Sequence, residues 1–546
     1  MKRKLLIAIA SLLLTGVNFA QTTNLGGPIS WKGEIHDIKN IPSYTMPAVD
    51  EAALIAEDLI NDPLKDAPWR FGLKHDANIT LTDGIWTDLQ NGNRLWRVGI
   101  ECTGATTVNL ILENLFIPEG AHLYLSDINQ TNRVGAYTSR NNRKDGILGT
   151  ELVHGDKIIV EYFEPAAVLG QGRFTIANVT HGYRAIKEHE TQYGKSLNSS
   201  GSCNIDVECP LGIGWDLQIR SVALAVVNGN GYCTGALINN TCNDGTPYFL
   251  TANHCVSGGA SNWAFRWNWK SPPGTESCAT AANSSSNGPP YDQTSNGATI
   301  LVSGGDADHA LLEIDNMTQN DAAGWNLYYA GWNNDDTDGL ITQATGIHHP
   351  SGDVMKICRE DDAVYHDNVG GADVWYIDEW EEGVTEPGSS GSPLFDQNGR
   401  IIGQLYGGAA ACEWGGTSNN GAYDYYGRLG VSWLLGIGDY LDPISCGGTA
   451  TTNDGFDPSA GIDKNNLFDL MIFPNPTNGE LNITFNNEQN DDFTVYVTDL
   501  AGRVIYNSIV SSSIHSIDLV KNANGAYILH LANDNSRVTK KIIIQK

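Results

Sequence analysis

The sequence is poor in basic residues. It has 33 Lys and Arg against 63 Asp and Glu, which gives a formal net charge of -30. A field of this sign excludes binding to nucleic acid through general charge attraction. Beyond the N-terminus, apolar runs long enough to span a bilayer are also missing, and long apolar helical stripes are scarce. A membrane-spanning protein and a helical bundle are therefore both disfavoured.

Glycine and short apolar segments are what the sequence has in quantity. There are 60 Gly in 546 residues, and 41% of the residues are hydrophobic, which is the composition of a globular protein. Short apolar segments separated by Gly, Asn and Pro turns indicate an all-β protein. The length predicts three or four units rather than one.

The N-terminus has the features of a signal peptide. Lys2, Arg3 and Lys4 precede an apolar run over residues 5–14, which is too short for a membrane anchor. We expect residues 1–20 to be removed after Ala20. Export permits disulfides, and the chain has ten Cys.

Composition divides the rest of the chain into four parts. Residues 21–195 contain β signals, including a hairpin at Asn91-Gly92 and one short helix within 40–66. A Gly/Thr/Asn/Asp-rich linker is predicted at 447–466 and a small β module at 467–546. Residues 196–446 form the largest part, with strand candidates at 222–227, 248–252, 298–302, 310–314, 339–348, 374–377, 393–395, 401–406 and 425–433.

Three separated motifs in 196–446 indicate nucleophilic catalysis. Ser390 lies between glycines in Gly388-Ser389-Ser390-Gly391-Ser392-Pro393, where a tight turn can project its hydroxyl into a cleft. The backbone N–H groups of Gly388 and Ser390 are the expected oxyanion donors. His254 ends an apolar strand, and Asp308 opens another. A hydroxyl needs a base, and the base needs an orienting carboxylate, so His254, Asp308 and Ser390 together predict a catalytic triad.

Longer stretches around these motifs resemble the lysyl endopeptidase family, the bacterial Lys-specific branch of the chymotrypsin-like serine proteases. The matching stretches are 200–207 (SGSCNIDV), 248–255 (YFLTANHC), 327–332 (LYYAGW), 347–350 (IHHP), 384–393 (VTEPGSSGSP) and 403–405 with 407–408. The resemblance implies a double β-barrel with the active site between the barrels. It implies His254 as general base, Asp308 as its orienter, Ser390 as nucleophile, and neither a metal nor an organic cofactor.

The resemblance also implies three disulfides. They pair Cys203 with Cys412, Cys209 with Cys278, and Cys233 with Cys255. Cys102, Cys242, Cys358 and Cys446 match none of them. Because three of these four lie in one predicted domain, either one thiol is free or the domain boundary is wrong.

Substrate preference depends on the pocket that receives the side chain preceding the cleaved bond (the P1 residue). Val384 stands six residues before the predicted nucleophile, where trypsin has an acid. The acid with which trypsin binds a basic P1 side chain is therefore absent at this position. The family's Asp-x-Tyr-Gly-Arg matches 424–428, which implies that Asp424 receives a substrate ammonium. Tyr406 replaces a family His that stacks on a Trp near the catalytic site. This change leaves open whether cleavage is restricted to Lys or extends to Arg.

Two other functions remain as alternatives. A glutamyl endopeptidase also favours Thr before this turn, as Thr385 stands here, but its pocket must hold a carboxylate, which Asp424 and Tyr406 disfavour. A non-catalytic surface-binding pseudoprotease is the second alternative, although the complete set of triad residues disfavours it. His348 and His349 match a family His-His-Pro and are interpreted as structural.

Activation is predicted to require removal of residues 21–195. Residue 389 is Ser, so the Asp that pairs with a freed N-terminus in mammalian-type zymogens is missing. Lys195 immediately precedes the expected mature start at Ser196, and a Lys-specific enzyme is able to cut there itself. Residues 21–195 would then assist folding and inhibit, and a plain accessory domain is the alternative.

The C-terminal module resembles the type A sorting domain of the type IX secretion system. The matching pieces are 473–476 (FPNP), 499–504 (DLAGRV), 524–527 (NGAY) and the basic end from Lys540 to Lys546. The resemblance implies a protein secreted by, or attached to the surface of, a Gram-negative bacterium. Its expected partners are peptide substrates and the secretion machinery, and a monomer is expected. An Ig-like binding module is the alternative interpretation of this part.

Overall fold

The computed structural model describes residues 26–32, 40–184, 200–201, 203–271, 292–412, 422–459, 471–475, 477–485, 493–499, 503–512, 514–532 and 537–546. The predicted signal peptide, Lys195 and Cys278 lie outside these residues. The chain forms two compact units, Met1–Asp457 and Pro458–Lys546. Its described residues include no helix long and apolar enough to cross a membrane. The fold class is all-β, as the sequence predicts.

Residues 40–184, called here the N-terminal region, form two β-sheets and one mostly exposed helix. The helix α1 is Glu51–Asn61, and the Asp50 side chain caps it by accepting the N–H of Ala53. One sheet has the order β1-β5-β11-β7-β8 with β4 on β5, and the other has the order β10-β6-β12-β3 with β9 on β6. The strands are β1 Ser43–Thr45, β2 Trp69–Arg70, β3 Gly72–Thr80, β4 Ile85–Asp88, β5 Arg94–Glu101, β6 Thr107–Phe116, β7 His122–Asp127, β8 Arg133–Tyr137, β9 Leu148–Gly149, β10 Val153–His154, β11 Lys157–Glu164 and β12 Arg173–Gly182.

Residues 200–457, called here the protease region, are built on two larger sheets. The first has the order β18-β17-β14-β15-β16-β20-β19, with β2 of the N-terminal region added at β15, and the second contains β13 and β21–β29. The strands are β13 Ile205–Asp206, β14 Val222–Val227, β15 Gly231–Leu237, β16 Tyr248–Ala252, β17 Ala264–Trp267, β18 Thr294–Asn296, β19 Ala298–Gly304, β20 His309–Ile314, β21 Trp332–Asn333, β22 Ala344–His348, β23 Lys356–Glu360, β24 Tyr365–Val369, β25 Ala372–Ile377, β26 Pro393–Asp396, β27 Ile401–Gly408, β28 Asp424–Arg428 and β29 Thr452–Asn453. The helices are short: α2 Asp216–Ile219, α3 Gln319–Gly324, α4 Leu429–Ser432 and α5 Gly438–Leu441.

Most predicted strands are present, with two corrections. The strand predicted at 339–348 begins only at Ala344, and the strand predicted at 425–433 ends at Arg428, where α4 begins. In the second case, apolar residues continue beyond the strand because the helical residues Leu429 and Ile437 are also buried in the core. An apolar run does not by itself distinguish a buried strand from a buried helix.

The N-terminal region and the protease region share a buried interface. Their apolar side chains form one cluster, in which Tyr232 and Trp269 of the protease region join residues of the N-terminal sheets. A buried ion pair crosses this interface, with Arg266 Nε 3.1 Å and Nη2 2.7 Å from the two carboxylate oxygens of Glu151. The contact therefore resembles a domain core more than a loose tether.

Disulfides connect distant parts of the protease region. Cys203–Cys412 and Cys233–Cys255 are formed as the resemblance implies, and a third bond joins Cys242 to Cys446. Cys102 and Cys358 are buried thiols. The pairing of Cys209 with Cys278 stays a prediction because Cys278 lies outside the described residues.

The first part of the predicted linker 447–466 is packed rather than extended. Residues of β29 pair with β21, and Phe456 exchanges backbone hydrogen bonds with Tyr329 at 2.8 and 2.9 Å. The second compact unit spans Pro458–Lys546, and the start of the C-terminal module at residue 467 stays a prediction.

The C-terminal unit is a small β-sandwich. A three-stranded sheet, β30-β31-β34, faces a four-stranded sheet, β33-β32-β35-β36, around one apolar core. The strands are β30 Met471–Phe473, β31 Glu480–Thr484, β32 Phe493–Thr498, β33 Val504–Val510, β34 Ile514–Asp518, β35 Gly525–Ala532 and β36 Arg537–Ile544. The Asn475 side chain accepts the N–H of Ile543 and donates to the Lys541 carbonyl, both at 2.8 Å, so the FPNP segment is tied to the last strand.

Candidate active site

His254 and Asp308 meet because the strands beside them are paired. His254 lies in the turn after β16, Asp308 directly precedes β20, and Ala252 of β16 faces His309 of β20. The Asp308 carboxylate accepts from the His254 ring at Nδ1, 2.8 Å away, and from the His254 backbone N–H, 3.0 Å away. One carboxylate therefore fixes both the ring and the main chain of the histidine, and it assigns the ring proton to Nδ1.

Ser390 lies in the turn that leads into β26, where the two sheets of the protease region meet. Its carbonyl accepts the N–H of Thr234 on β15 at 2.8 Å. Gly391 follows with φ +82°, and a Cβ there would lie 2.2 Å from Thr251 Oγ1 and 2.5 Å from the Thr234 carbonyl. Only glycine fits this position, so the turn sequence is dictated by close contact with β15 and β16.

The same turn offers two backbone donors. Gly388 has φ +97°, and a Cβ there would lie 2.8 Å from the Ser351 nitrogen. Among the described residues, the N–H groups of Gly388 and Ser390 have no hydrogen-bond acceptor. Ser389 supports the turn from behind, since its hydroxyl lies 2.7 Å from His348 Nδ1 and accepts the N–H of Glu386. This geometry is compatible with an oxyanion site at Gly388 and Ser390.

Ser390 is not bonded to His254 in this state. Its Oγ donates instead to the carbonyl oxygen of Lys65, 3.4 Å away, and Ser390 is only 1% exposed. His254 Nε2 is buried and has no partner within the part of the chain that the structure describes. The predicted nucleophile thus contacts Lys65 of the N-terminal region instead of the predicted base.

Asp424 lies at the bottom of a closed pocket next to this turn. It begins β28, between β27 and β25, and it is fully buried. Its Oδ2 accepts from Trp380 Nε1 at 2.8 Å and from Thr385 Oγ1 at 2.7 Å. Burial raises the pKa of Asp424 above its ordinary value, and the neighbouring Lys65 ammonium and these donors oppose that rise.

The pocket holds the ammonium group of Lys65. Its Nζ lies 2.6 Å from the Ala410 carbonyl, 3.1 Å from the Thr385 carbonyl, 2.8 Å from Thr385 Oγ1 and 3.1 Å from Asp424 Oδ1. Lys65 is 3% exposed. Four oxygen atoms, one of them from a carboxylate, thus surround a cation that has three hydrogen atoms to donate.

Tyr406 has aromatic contacts with both His254 and Tyr425. Its ring centroid lies 6.4 Å from that of His254 and 5.1 Å from that of Tyr425, in a T-shaped contact. Tyr406 therefore lies close to His254. The ring against Tyr406 on its other side is Tyr425, whereas the family places a Trp beside the corresponding His.

Several residues at the site were not found from the sequence. Trp380 and Thr385 position the Asp424 carboxylate, Ala410 contributes a carbonyl, and Lys65 comes from a different part of the chain. Thr385 stands within the VTEPGSSGSP stretch, where the sequence relates it to glutamyl endopeptidases and gives no sign that it contacts Asp424. Ala410 acts through its backbone, so its side chain gives no signal.

Comparison with known proteins finds similarity in both units. Residues 197–427 match the family model of the lysyl endopeptidase C-terminal domain, and residues 471–545 match that of the secretion system C-terminal sorting domain. A lysyl endopeptidase of Pseudomonas aeruginosa is 26% identical over 370 residues, covering 64% of this chain and 75% of that protein. The sorting domain and this relative place the protein outside the cell or at its surface.

Comparison with solved structures also returns matches of low overall similarity. The inactive form of Rv3671c from M. tuberculosis has a TM-score of 0.26 and 16% identity, over 41% of this chain and 91% of that chain. The HtrA-type protease AlgW with a tripeptide has a TM-score of 0.26 and 12% identity, over 60% of this chain and 93% of that chain.

Proposed function

Since this chain carries a serine endopeptidase domain that resembles the lysyl endopeptidases, joined to a type IX secretion sorting domain, we propose that it cleaves peptide bonds on the carboxyl side of lysine. The observation that carries the proposal is the pocket at Asp424, which binds a lysine ammonium through one carboxylate and three neutral oxygens. A buried cation requires such a set of partners, because an unpaired one costs several kcal/mol.

The chemistry proceeds from the geometry of the three residues. His254 Nε2 removes the Ser390 hydroxyl proton as Oγ attacks the carbonyl carbon of the lysine residue, and the resulting oxyanion is bound by the N–H groups of Gly388 and Ser390. The protonated His254, held by Asp308, then gives the proton to the departing amine, which leaves an acyl-enzyme. Water activated by the same histidine hydrolyses the ester and restores Ser390.

The shape of the pocket favours Lys over Arg. Its end is formed by the main-chain carbonyls of Thr385 and Ala410 together with Asp424, all within 3.1 Å of one nitrogen. A planar guanidinium is larger and spreads five N–H donors over three nitrogens. It therefore does not fit among oxygens that converge on a single nitrogen. A substrate glutamate would meet only oxygen acceptors and the Asp424 charge, which argues against the glutamyl alternative.

Maturation completes the proposal. We expect self-cleavage after Lys195 to separate residues 21–195 from the enzyme, and removal of the C-terminal unit to accompany export. An N-terminus of the mature enzyme other than Ser196 would contradict the first expectation.

The test is P1 preference, measured with the purified mature enzyme on a peptide library, with Ser390→Ala as the control. Cleavage after Lys alone, absent in the control, is the expected result. Equal cleavage after Lys and Arg would contradict the argument from pocket shape, and cleavage after Glu would overturn the role of Asp424. A correctly matured protein that cleaves nothing would favour the surface-binding alternative.

A further inference from the structure

Lys65 brings the N-terminal region into contact with both Asp424 and Ser390. We propose that Lys65 is a built-in pseudosubstrate, which fills the lysine pocket and covers Ser390 in the uncut chain while its own peptide bond to Asp66 is not cleaved. This inference rests on the proposed function, because it takes the Asp424 pocket to be the lysine pocket.

The side chain of Lys65 makes the contacts expected of a substrate lysine. All four oxygen atoms around its Nζ belong to the protease region, none to the N-terminal region. Asp424 and Lys65 are both buried, so their charges are compensated chiefly by one another. While Lys65 remains in place, no other lysine has access to the pocket.

The backbone of Lys65, in contrast, does not have a substrate's conformation. Residues Asp62–Leu64 form a 3-10 turn, and Lys65 follows it in the left-handed region with φ 50° and ψ 22°. Its N–H donates to the Asp62 carbonyl within the same turn, 3.1 Å away, and so is not offered to the enzyme. An extended chain is what lets a peptide pair with a sheet edge in a cleft, and this turn prevents it.

The carbonyl of Lys65 is also placed wrongly for attack. Its oxygen accepts a hydrogen bond from Ser390 Oγ, and among the described residues neither Gly388 nor Ser390 donates an N–H to it. In a reacting complex the oxygen belongs at those N–H groups, with Ser390 Oγ facing the carbonyl carbon and bonded to His254. Here His254 Nε2 has no partner in the described structure. The contact thus occupies the nucleophile without engaging the base.

Both flanks of Lys65 are held rigidly. Before it, the buried Asp58 of α1 accepts from Arg70 Nε at 2.9 Å and from Tyr183 Oη at 2.7 Å, which fixes the helix to the body of the N-terminal region. After it, β2 pairs with β15, and Trp69 and Phe71 stack on Tyr232 at 5.9 and 4.5 Å. A loop fixed in this way loses little entropy when it fills the pocket, which favours a stable inhibited state.

A consequence concerns activation. A cut after Lys195 breaks none of the contacts described for Lys65, because these join it to Asp62 and to the protease region and not to residues at the cut. The cut enzyme therefore stays inhibited until the N-terminal region dissociates or is degraded.

The experiment measures access to Ser390 in the full chain with a fluorescent fluorophosphonate, a probe that reacts with activated serines. Uncut and mature forms are separated by size on a denaturing gel, so each is scored by itself. The variants are Lys65→Met, which keeps the aliphatic bulk but removes the charge, and Lys65→Glu, which sets a like charge against Asp424. Lys74→Ala is the matched control, since Lys74 is an exposed lysine of the same region, on β3.

We expect the uncut form to label at least tenfold faster in Lys65→Met than in the wild type, and faster still in Lys65→Glu. Lys74→Ala should label like the wild type, and Ser390→Ala should not label at all. The mature form has the same sequence in every Lys65 variant, so its labelling reports whether each variant folded. If a charge-removing variant does not fold, Lys65→Arg, which keeps the cation, should still give intermediate labelling of the uncut form.

Two results would overturn the inference. One is equally slow labelling of the uncut form in all Lys65 variants while the mature enzyme cleaves after lysine. The other is rapid appearance of a new N-terminus at Asp66 in the isolated wild-type chain, which would make Lys65 a substrate. If the mature enzyme itself neither labels nor cleaves after lysine, the proposed function fails, not only this inference.

Discussion

Replacing Asp424 by Asn is the most direct test of how the pocket recognises its ligand. The substitution keeps the size of the side chain and removes its charge. Its carbonyl oxygen can still accept from Trp380 and Thr385, and its amide NH₂ then faces the ammonium, a donor against a donor. The change thus replaces the ion pair between Asp424 Oδ1 and an ammonium nitrogen, 3.1 Å apart for Lys65, by two donors that face each other. The neighbouring residues stay in place.

The magnitude follows from the burial of both partners. Removing one partner of a buried ion pair costs about 3–5 kcal/mol. The neutral oxygens of Thr385 and Ala410 remain, so we expect the lower half of that range, which corresponds to a loss of about 10²–10³ in kcat/KM for a lysine substrate. A substrate with Met in place of Lys has no charge to lose, and its kcat/KM should change by less than about fivefold.

The assay compares matched Lys and Met peptides on mature wild-type enzyme and on mature Asp424→Asn. Asp439→Asn, at an exposed position of α5, controls for the loss of a charge elsewhere. The reasoning is refuted if both peptides lose activity equally, since the variant would then have damaged the catalytic site rather than the pocket. It is also refuted if the lysine peptide loses less than about fivefold.

Three further predictions concern the triad, a disulfide and a buried carboxylate. Asp308→Asn should lower kcat by about 10³–10⁴-fold, measured on a lysine peptide, because the amide no longer holds the ring proton of His254 at Nδ1; an undiminished kcat would remove Asp308 from the triad. Replacing Cys242 and Cys446 together by Ser should lower Tm by about 10 °C in calorimetry, since loop closure of this length contributes about 4–5 kcal/mol. An unchanged Tm would show that this bond adds nothing to stability. Burial and the charges of neighbouring acids raise the pKa of Glu360 to about 7. The folded state therefore binds this proton more tightly than the unfolded state does. As a result, the stability of the fold should fall as the pH rises from about 4.5 to 7. Glu360→Gln should therefore raise Tm by a few degrees at pH 8 and leave it unchanged at pH 4, and a lower Tm at pH 8 would contradict the predicted sign.

The elements around the predicted triad could be predicted because the residue types at each position reflect the contacts made there. His254 and Asp308 stand at the ends of apolar strands that pair with one another, so strand pairing alone brings their side chains within hydrogen-bonding distance. The turn at Ser390 requires glycine at 391, where any side chain would collide with β15 and β16. In both cases a short motif carries the constraint, although the contacts join residues far apart in the chain.

The pocket could be predicted only in part. Asp424 was found because the resemblance supplies its motif, but Trp380 and Thr385 reach it from separate loops, and two of its oxygens are backbone carbonyls. Backbone atoms leave no trace in the residue types that carry them. The Cys242–Cys446 bond is similar, because spacing alone does not select among the possible pairings.

Lys65 could not be predicted because nothing around it in the sequence differs from an ordinary turn. It lies more than three hundred residues before Asp424, and the two meet only when the N-terminal region folds against the protease region. The local signals did predict a short helix in this stretch, and α1 with its cap at Asp50 is present. These local signals carry no information about the protease region, which Lys65 contacts at the end of this segment.

If the proposed function holds, the donors around Asp424 allow the same pocket to bind Lys65 and then a succession of substrates. A buried carboxylate without partners would take up a proton or collapse the pocket around it. Here Trp380 and Thr385 donate to Oδ2, so one oxygen is satisfied whether or not a cation is bound, and Oδ1 is left to the ligand. The proposal therefore predicts that Oδ2 keeps both hydrogen bonds when the ammonium leaves, so that release of Lys65 or of a product lysine costs only the contacts of the ammonium itself. A pocket in which both oxygens depended on the ligand would bind the first lysine it met and release it slowly.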